Sequence, residues 1–335
     1  MWGGTIGIIR DHSLWGTGLA SWQWFFPKYQ DPRLHGHPDY PHNDILNLVS
    51  DYGIIGFGLM AWILVVFFFC ARRIAQSKPG SEQSAFAIGA MTSVVSILVH
   101  SWFDFNLHIP ANSLLLSAIM GFTMSMTEER RSVVVRPTSI WGRLSLVLAM
   151  LVACAVAVWS YVPAIRAWRY ADLASNSKKD LDYTSALKFA EMAIVSDPKY
   201  VIPHVLIGDI NKSIAEWRRG PGKRAERLEY ALKAVASYDR ALALNPRHHY
   251  CWLSKGKAYL LAEKDDLALE GIQCAIQLAP THADSHFTLG TIYRDRGEDR
   301  LAQESFSRAV TLEDSEVMLQ WNLYDSKQEL KTPPP

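Results

Sequence analysis

Residues 53–71, GIIGFGLMAWILVVFFFCA, run for 19 positions without a charged side chain. A helix needs roughly 20 such residues to cross a hydrocarbon core, and only a helix or a closed barrel satisfies its own backbone N–H and C=O groups in lipid. Similar stretches follow at 84–103, 109–126 and 144–162, parted by short polar loops. The pattern predicts an all-α chain with about four membrane-spanning helices.

Charge divides the chain after the last of these stretches. Residues 1–162 hold 10 Lys and Arg with 9 Asp and Glu, whereas 163–335 hold 24 of each sign. A water-soluble half is therefore expected to follow a lipid-soluble one. The net charge of +1 hides this split, and neither half is basic enough to favour nucleic acid as a partner. Cys70, Cys154, Cys251 and Cys274 show no CxxC spacing and read as buried free thiols on helices.

Loop charges predict an orientation. Arg72, Arg73 and Lys78 follow the first stretch, and Arg130, Arg131, Arg136 and Arg143 follow the third, whereas SWFDFNLHIPAN between the second and third has no Lys or Arg. The positive-inside trend puts the two charged loops in the cytoplasm. Arg166 and Arg169 after the fourth stretch pull the other way, but long domains translocate largely regardless of charge. The segment before residue 53 and everything after residue 162 are then expected outside, in the periplasm of a bacterial inner-membrane protein.

Chemistry is concentrated in HGHPDYPHNDILNLVSDYGIIG, residues 35–56, which packs three His, three Asp and two Pro ahead of an apolar helix expected to begin at Gly53. His42 is the candidate catalytic residue; the alternative is a loop residue ahead of an N-cap, with Asn43 or Asp44 accepting from a first-turn N–H. His35, His37, Asp39 and His42 are of types that ligate Zn²⁺, but H-x-H-x-D-x-x-H matches no established spacing, so no metal is expected. Met1–Phe26 contains Trp2, Trp15, Trp22 and Trp24, interrupted by Arg10, Asp11 and His12. It lacks a cleavage site for a signal peptide and reads as an interfacial segment, with tryptophan at headgroup level.

The order of short elements here resembles the C-terminal half of the O-antigen ligase superfamily of membrane glycosyltransferases. The matching residues are His12 with Gly16 and Gly18, Phe26-Pro27-Lys28-Tyr29, His42-Asn43 with Leu46, and Asp51 before Gly53 and Gly56; Ser13 stands where proline is usual. The resemblance covers roughly residues 2–126. It implies transfer of a glycan from a polyprenyl diphosphate carrier to an acceptor hydroxyl, without a cofactor, with His42 contacting that hydroxyl. Arg10, Lys28 and Arg33 are the cations of this region open to the diphosphate, and Asn43 and Asp51 are further substrate-binding candidates. Family members carry many spans ahead of this region, so the resemblance implies a truncated or split relative.

Asp104, Asn106 and His108 are expected at the outer ends of the second and third spans, on the same side as His42. Ionisable groups at that depth often face a cavity, which makes Asp104 and His108 substrate candidates. Ordinary loop solvation, with Pro110 opening the next helix, is the alternative.

A period of 34 organises the remainder. Pro246 and Pro280 are 34 apart, as are Gly256 and Gly290, Tyr259 and Tyr293, Ala268 and Ala302, and Ala275 and Ala309. This is the tetratricopeptide signature, in which each unit is a pair of helices. An earlier unit ends Ala186, Ala190, Ala193, Pro198, and another runs from Gly208 through Ala234, Tyr238 and Ala241 to Pro246. The spacing from Pro198 to Pro246 exceeds 34 by 14, an excess expected around WRRGPGKRAER. The cations there, Arg218, Arg219, Lys223, Arg224 and Arg227, read as a solvated loop, with lipid phosphate as the alternative. Residues 316–330 are expected to cap a four-repeat solenoid, and KTPPP to be disordered.

The expected organisation is thus 1–52, a periplasmic or interfacial loop region; 53–162, the spans; 163–330, a tetratricopeptide domain with a groove for a protein or peptide; and 331–335, a tail. A second function is kept beside glycan transfer: a non-catalytic membrane-anchored scaffold for protein–protein contact in envelope polysaccharide assembly. Reading frames upstream of Met1 would separate the two.

Overall fold

A computed structural model describes residues 1–34, 38–77, 79–126, 140–220 and 222–312. Their regular structure is all helix, with no strand among the described residues. Two compact units divide the chain, Met1–Val133 and Val134–Pro335.

The first unit contains α1 (Trp2–Asp11), α2 (Trp22–Phe25), a 3-10 turn (Phe26–Tyr29), α3 (Asp44–Ser77), α4 (Glu82–His100), a second 3-10 turn (Asn106–His108) and α5 (Pro110–Ser125). The ends follow local chemistry. Ser81 Oγ accepts from the Ser84 N–H to cap α4, and Pro110 opens α5, where a missing N–H costs nothing. Phe67, Ala71 and Ile74 of α3 pack on Ala87, Ala90 and Val94 of α4, with Leu116, Ile119 and Met120 of α5 against them. The outward faces stay apolar: Trp62 is 65% and Leu114 70% exposed. Such surface is unusual for a protein surrounded by water.

Among the described residues, three helical stretches are long and apolar enough to cross a membrane: Asp44–Ser77, Glu82–His100 and Val147–Lys179. The third stretch expected from the sequence forms α5, which has 16 residues and reaches only about 24 Å at 1.5 Å per residue. It falls short of the roughly 30 Å hydrocarbon thickness.

Of the N-terminal tryptophans, Trp22 is the buried one. It stacks on Phe26 at 4.3 Å and donates from Nε1 to Thr5 Oγ1 at 3.1 Å. Trp15 does lie open, 76% exposed.

The second unit contains α6 (Ile140–Lys179), a 40-residue helix with Pro163 in its interior. The boundary expected at 162/163 falls inside it. Seven further helices follow: α7 (Tyr183–Ser196), α8 (Val201–Trp217), α9 (Arg224–Leu244), α10 (His249–Leu261), α11 (Asp265–Leu278), α12 (Ala283–Asp295) and α13 (Asp299–Thr311). The C-terminal part of α6 pairs with α7, and α8/α9, α10/α11 and α12/α13 complete four helix pairs in the tetratricopeptide arrangement. Small residues permit the close approach within a pair. A Cβ on Gly256 would lie 2.6 Å from Ile272 Cδ1, and one on Gly271 would lie 3.3 Å from the Gly256 backbone.

The excess of 14 residues is shared rather than looped out. Relative to α10 and α11, α8 is longer by four, the connector at 218–223 by three, and α9 by seven. The expected cap at 316–330, the tail, His35, His37, Lys78, Arg130, Arg131, Arg136 and Pro221 lie outside the described residues.

Candidate functional site

Helix α3 starts at Asp44 rather than Gly53 because Asn43 caps it. Asn43 Oδ1 accepts from the Leu46 N–H at 2.9 Å, and its Nδ2 donates to the Trp102 carbonyl at 2.9 Å. His42 immediately before it has φ +51, a left-handed backbone that is uncommon without glycine and that concentrates at functional sites. Trp2 Nε1 donates to the Pro41 carbonyl at 3.0 Å, holding the segment from the other side. The imidazole of His42 is half exposed. Its Nδ1 lies 3.8 Å from Asp104 Oδ1, and its ring meets Phe105 edge-on at 5.1 Å. His100 Nε2 lies 3.7 Å from the other oxygen of Asp104. One carboxylate thus faces two imidazoles at a solvent-open position.

Beneath this surface runs a chain of polar contacts. His108 Nδ1 lies 2.8 Å from Asp44 Oδ1, and Asp44 Oδ2 accepts from the Leu107 N–H at 2.8 Å. A carboxylate accepts only, so the His108 proton belongs on Nδ1 and its Nε2 accepts from Asn47 Nδ2 at 2.9 Å. Asn47 Nδ2 also reaches Asp51 Oδ2 at 3.4 Å, and that oxygen accepts from the Ala20 N–H at 3.0 Å. Asn47 Oδ1 and Asp51 Oδ1 are buried without a hydrogen-bond partner among the described residues. A buried acceptor left so costs about 1–3 kcal/mol.

The glycines of the sequence pattern meet where two backbones cross. Gly53 interrupts α3 with φ +66 and ψ −171. The freed groups are taken by the segment after α1: Thr17 N–H donates to Ser50 O at 2.8 Å, Gly18 N–H to Asp51 O at 2.9 Å, and Ile54 N–H to Ser13 O at 2.8 Å. A Cβ on Gly53 would lie 2.2 Å from Leu14 O, and one on Gly16 would lie 2.4 Å from Asp51 O. No other residue fits at either position.

The sequence-predicted residues fall into three groups. His42 and Asp104 are adjacent, with accessible functional atoms. Asn43, Asp51 and His108 join them in space, but Asn43 and His108 have both ends of their polar groups engaged, and Asp51 is buried. Arg10, Lys28 and Arg33 form the third group. Arg10 stands two turns along α1 from Trp2, about 12 Å; Lys28 lies over the Tyr29 ring at 5.4 Å; Arg33 is exposed and pairs with Asp31 at 2.8 Å, which holds the Asp31 carboxyl well below its usual range. Among the described residues no cluster of three His, Cys, Asp or Glu could hold a metal. Sequence reasoning missed Tyr40, Asn47 and His100. The i,i+4 spacings of Asn47 with Asp51 and His100 with Asp104 were the available signal.

The repeat unit offers a second surface. Lys178 of α6 reaches Asp209 of α8 at 3.0 Å, and Lys257 of α10 reaches Asp284 of α12 at 2.8 Å. Asp209 also accepts from the Tyr238 hydroxyl at 2.7 Å. Lys212, one turn beyond Asp209, is held below its ordinary value by burial. Burial also pushes the Cys251 thiol up to about 12, which leaves it unreactive. Of the cations around residue 220, Arg218 pairs with Glu226 at 3.1 Å, and Arg224 and Arg227 share Glu263. The two Glu263 pairs tie the elongated second repeat to the turn of the third.

No protein-family profile matches the chain. Over 88 residues it is 32% identical to anaphase-promoting complex subunit 3 of Schizosaccharomyces pombe, a match spanning 26% of this chain and 13% of that protein. Among solved structures, a thermophilic TPR protein of Thermus thermophilus is 18% identical with a TM-score of 0.41, over 54% of this chain and 94% of the other. A MamA crystal structure is 18% identical with a TM-score of 0.39, over 46% and 81%.

Proposed function

We propose that the chain is a membrane-anchored tetratricopeptide scaffold that holds a protein partner against its helical repeats. The carrying observation is α6, in whose apolar first half no described residue is buried while Ala171 and Ala174 of its second half pack against Ala190 and Ala193 of α7. One helix serves as span and as first repeat helix, so the repeats begin at the membrane surface. The inner-membrane placement with periplasmic repeats rests on the loop charges. A periplasm-active reporter fused after Tyr170 is expected to be active and one at Gln76 silent; the reverse pattern would invert the orientation. A photocrosslinking residue at Tyr250, on the first-helix face, should capture a protein partner in intact membranes, whereas one at Leu232 should not. Equal capture at both positions would refute a specific groove.

A second reading, glycan transfer, is favoured by His42. Its backbone is left-handed, its ring is half exposed, and Asp104 lies beside it, an arrangement suited to a general base with an orienting carboxylate. The acceptor hydroxyl oxygen would attack the anomeric carbon, the bond to the diphosphate oxygen would break, and the hydroxyl proton would pass to His42. Cations must then meet the departing diphosphate, and of the candidates Arg10, Lys28 and Arg33 the last is already paired with Asp31. Transfer from a polyprenyl-diphosphate glycan in membranes carrying this chain is therefore expected to be slow and to vanish in His42→Ala. Transfer that is unchanged in His42→Ala would sink the reading.

A further inference from the structure

We propose that the first repeat carries a docking surface for anionic phospholipid headgroups, formed by Arg166 and Arg169 of α6 together with Val195 and Lys199 where α7 turns into α8. The inference rests on the membrane-anchored reading and adds which edge of the repeats the bilayer holds. Residues 144–165 contain no charged side chain, and at 1.5 Å per residue they cover about 33 Å, a full hydrocarbon thickness. Arg166 and Arg169 are the first charges beyond that run, which sets them at headgroup depth. Trp159 and Trp168 flank the same depth, 80% and 61% exposed, and tryptophan gathers where lipid meets water.

Helix α7 brings a second segment back to this depth. From Arg166 to the end of α6 at Lys179 the helix climbs about 20 Å, and from Tyr183 at the start of α7 to Val195 the chain returns about 18 Å. The packing of Ala171 and Ala174 against Ala190 and Ala193 agrees with that register. Val195 therefore lies within about one turn of the level of Arg166, and its apolar side chain is 83% exposed. Lys199 follows in the turn and is exposed too.

Charge names the occupant. Arg166, Arg169 and Lys199 are all exposed, and none has an ion pair among the described residues. Asp197 in the same turn has Oδ1 accepting from the Lys199 N–H at 3.0 Å, which leaves the edge with an excess of positive charge. A guanidinium fork matches the oxygens of a phosphate, and the open valine beside it can enter the layer below the headgroups. The cations around residue 220 stand elsewhere. Helix α8 climbs away again from Val201 to Trp217, about 25 Å, so Arg218 and Arg219 sit at the far ends of the repeat helices.

The test places a benzophenone amino acid at Leu151, Val195 or Arg219 of the full chain and measures phospholipid adducts after illumination. The chain is held in nanodiscs of phosphatidylcholine alone or with about one third phosphatidylglycerol. Leu151, on the spanning half, should capture lipid in both. Val195 should capture several-fold more lipid than Arg219 when phosphatidylglycerol is present, and several-fold more than in phosphatidylcholine alone. Salt at 1 M should remove that gain, because charges then act only within about 3 Å. Lys199→Gln and Arg169→Gln, at exposed positions without ion pairs, should each lower capture at Val195 by about fivefold, the weight of one cation at an anionic surface. Capture at Val195 no greater than at Arg219, or indifferent to phosphatidylglycerol, or unchanged in both variants, overturns the proposal, while capture at Leu151 keeps α6 as the anchor. Absence of capture at Leu151 removes the anchor itself, and this docking surface with it.

Discussion

In the repeat unit, Lys178 meets Asp209 and Lys257 meets Asp284, each pair joining the first helices of neighbouring repeats across 31 and 27 positions. In the N-terminal unit, His108 meets Asp44 across 64 positions, and Thr17 meets Ser50 where two non-repeating segments cross. The first kind of contact bridges neighbouring repeats at two separate places along the stack, so loss of one leaves the other in place. The second kind occurs once, and everything above it depends on it. Repetition spreads polar contacts along a stack, whereas the site at His42 is built from single contacts that have no substitute.

Gly53→Val should test this contrast most severely. The added Cβ lies 2.2 Å from Leu14 O at φ +66, and strain with overpacking there should exceed about 3 kcal/mol. Hydrogen exchange is expected to show lost protection at 13–18 and 50–55 with α8–α13 unchanged; loss in both units would refute their independence. Asp209→Ala comes next. It strands Lys178 and the Tyr238 hydroxyl and should cost about 2–3 kcal/mol, with faster exchange in α6–α9 and little change in α12 and α13. Uniform loss across all four repeats would mean that they unfold as one block.

A smaller effect should appear on acidification. Burial holds His204, His248 and His286 below the ordinary imidazole value. The unfolded chain therefore takes up protons first as pH drops below about 6.5. Stability from these groups is complete above that pH and declines as pH falls through their lower folded values. The repeats should melt a few degrees lower at pH 5 than at pH 7, and His248→Gln should flatten the slope; a slope of opposite sign would contradict the burial argument. The smallest change is expected for Arg224→Ala. Arg227 stays on Glu263 and exposed pairs contribute little, so the melting temperature should not move beyond scan reproducibility.

Much of the repeat unit was legible because its constraints are periodic. Pro246 and Pro280, or Gly256 and Gly290, announce helix pairs by spacing alone, and the small residues fall where helices touch. The long apolar helices were legible from the absence of charge, whereas the 16-residue length of α5 was not, because composition reports apolarity more surely than helix length. The start of α3 was placed at Gly53 because the apolar run begins there, while Asn43 had already capped the helix upstream. At the candidate site, His42 and Asp104 stood out by residue type. The contacts of His108 with Asp44 and Asn47 did not. Nothing in a linear pattern pairs residues 44 and 108, because a single tertiary contact leaves no repeat to find.

The unbroken course of α6 gives the repeat stack a fixed rotational phase. Each residue of an α-helix turns the chain by about 100°, so the direction in which Lys178 and the face behind it point is set by a residue count from the apolar half of the same helix. One residue inserted after Val162 would swing that face by more than a quarter-turn, and a further two or three would bring it most of the way round again. Partner access to the repeats is therefore written into helix length as an angle.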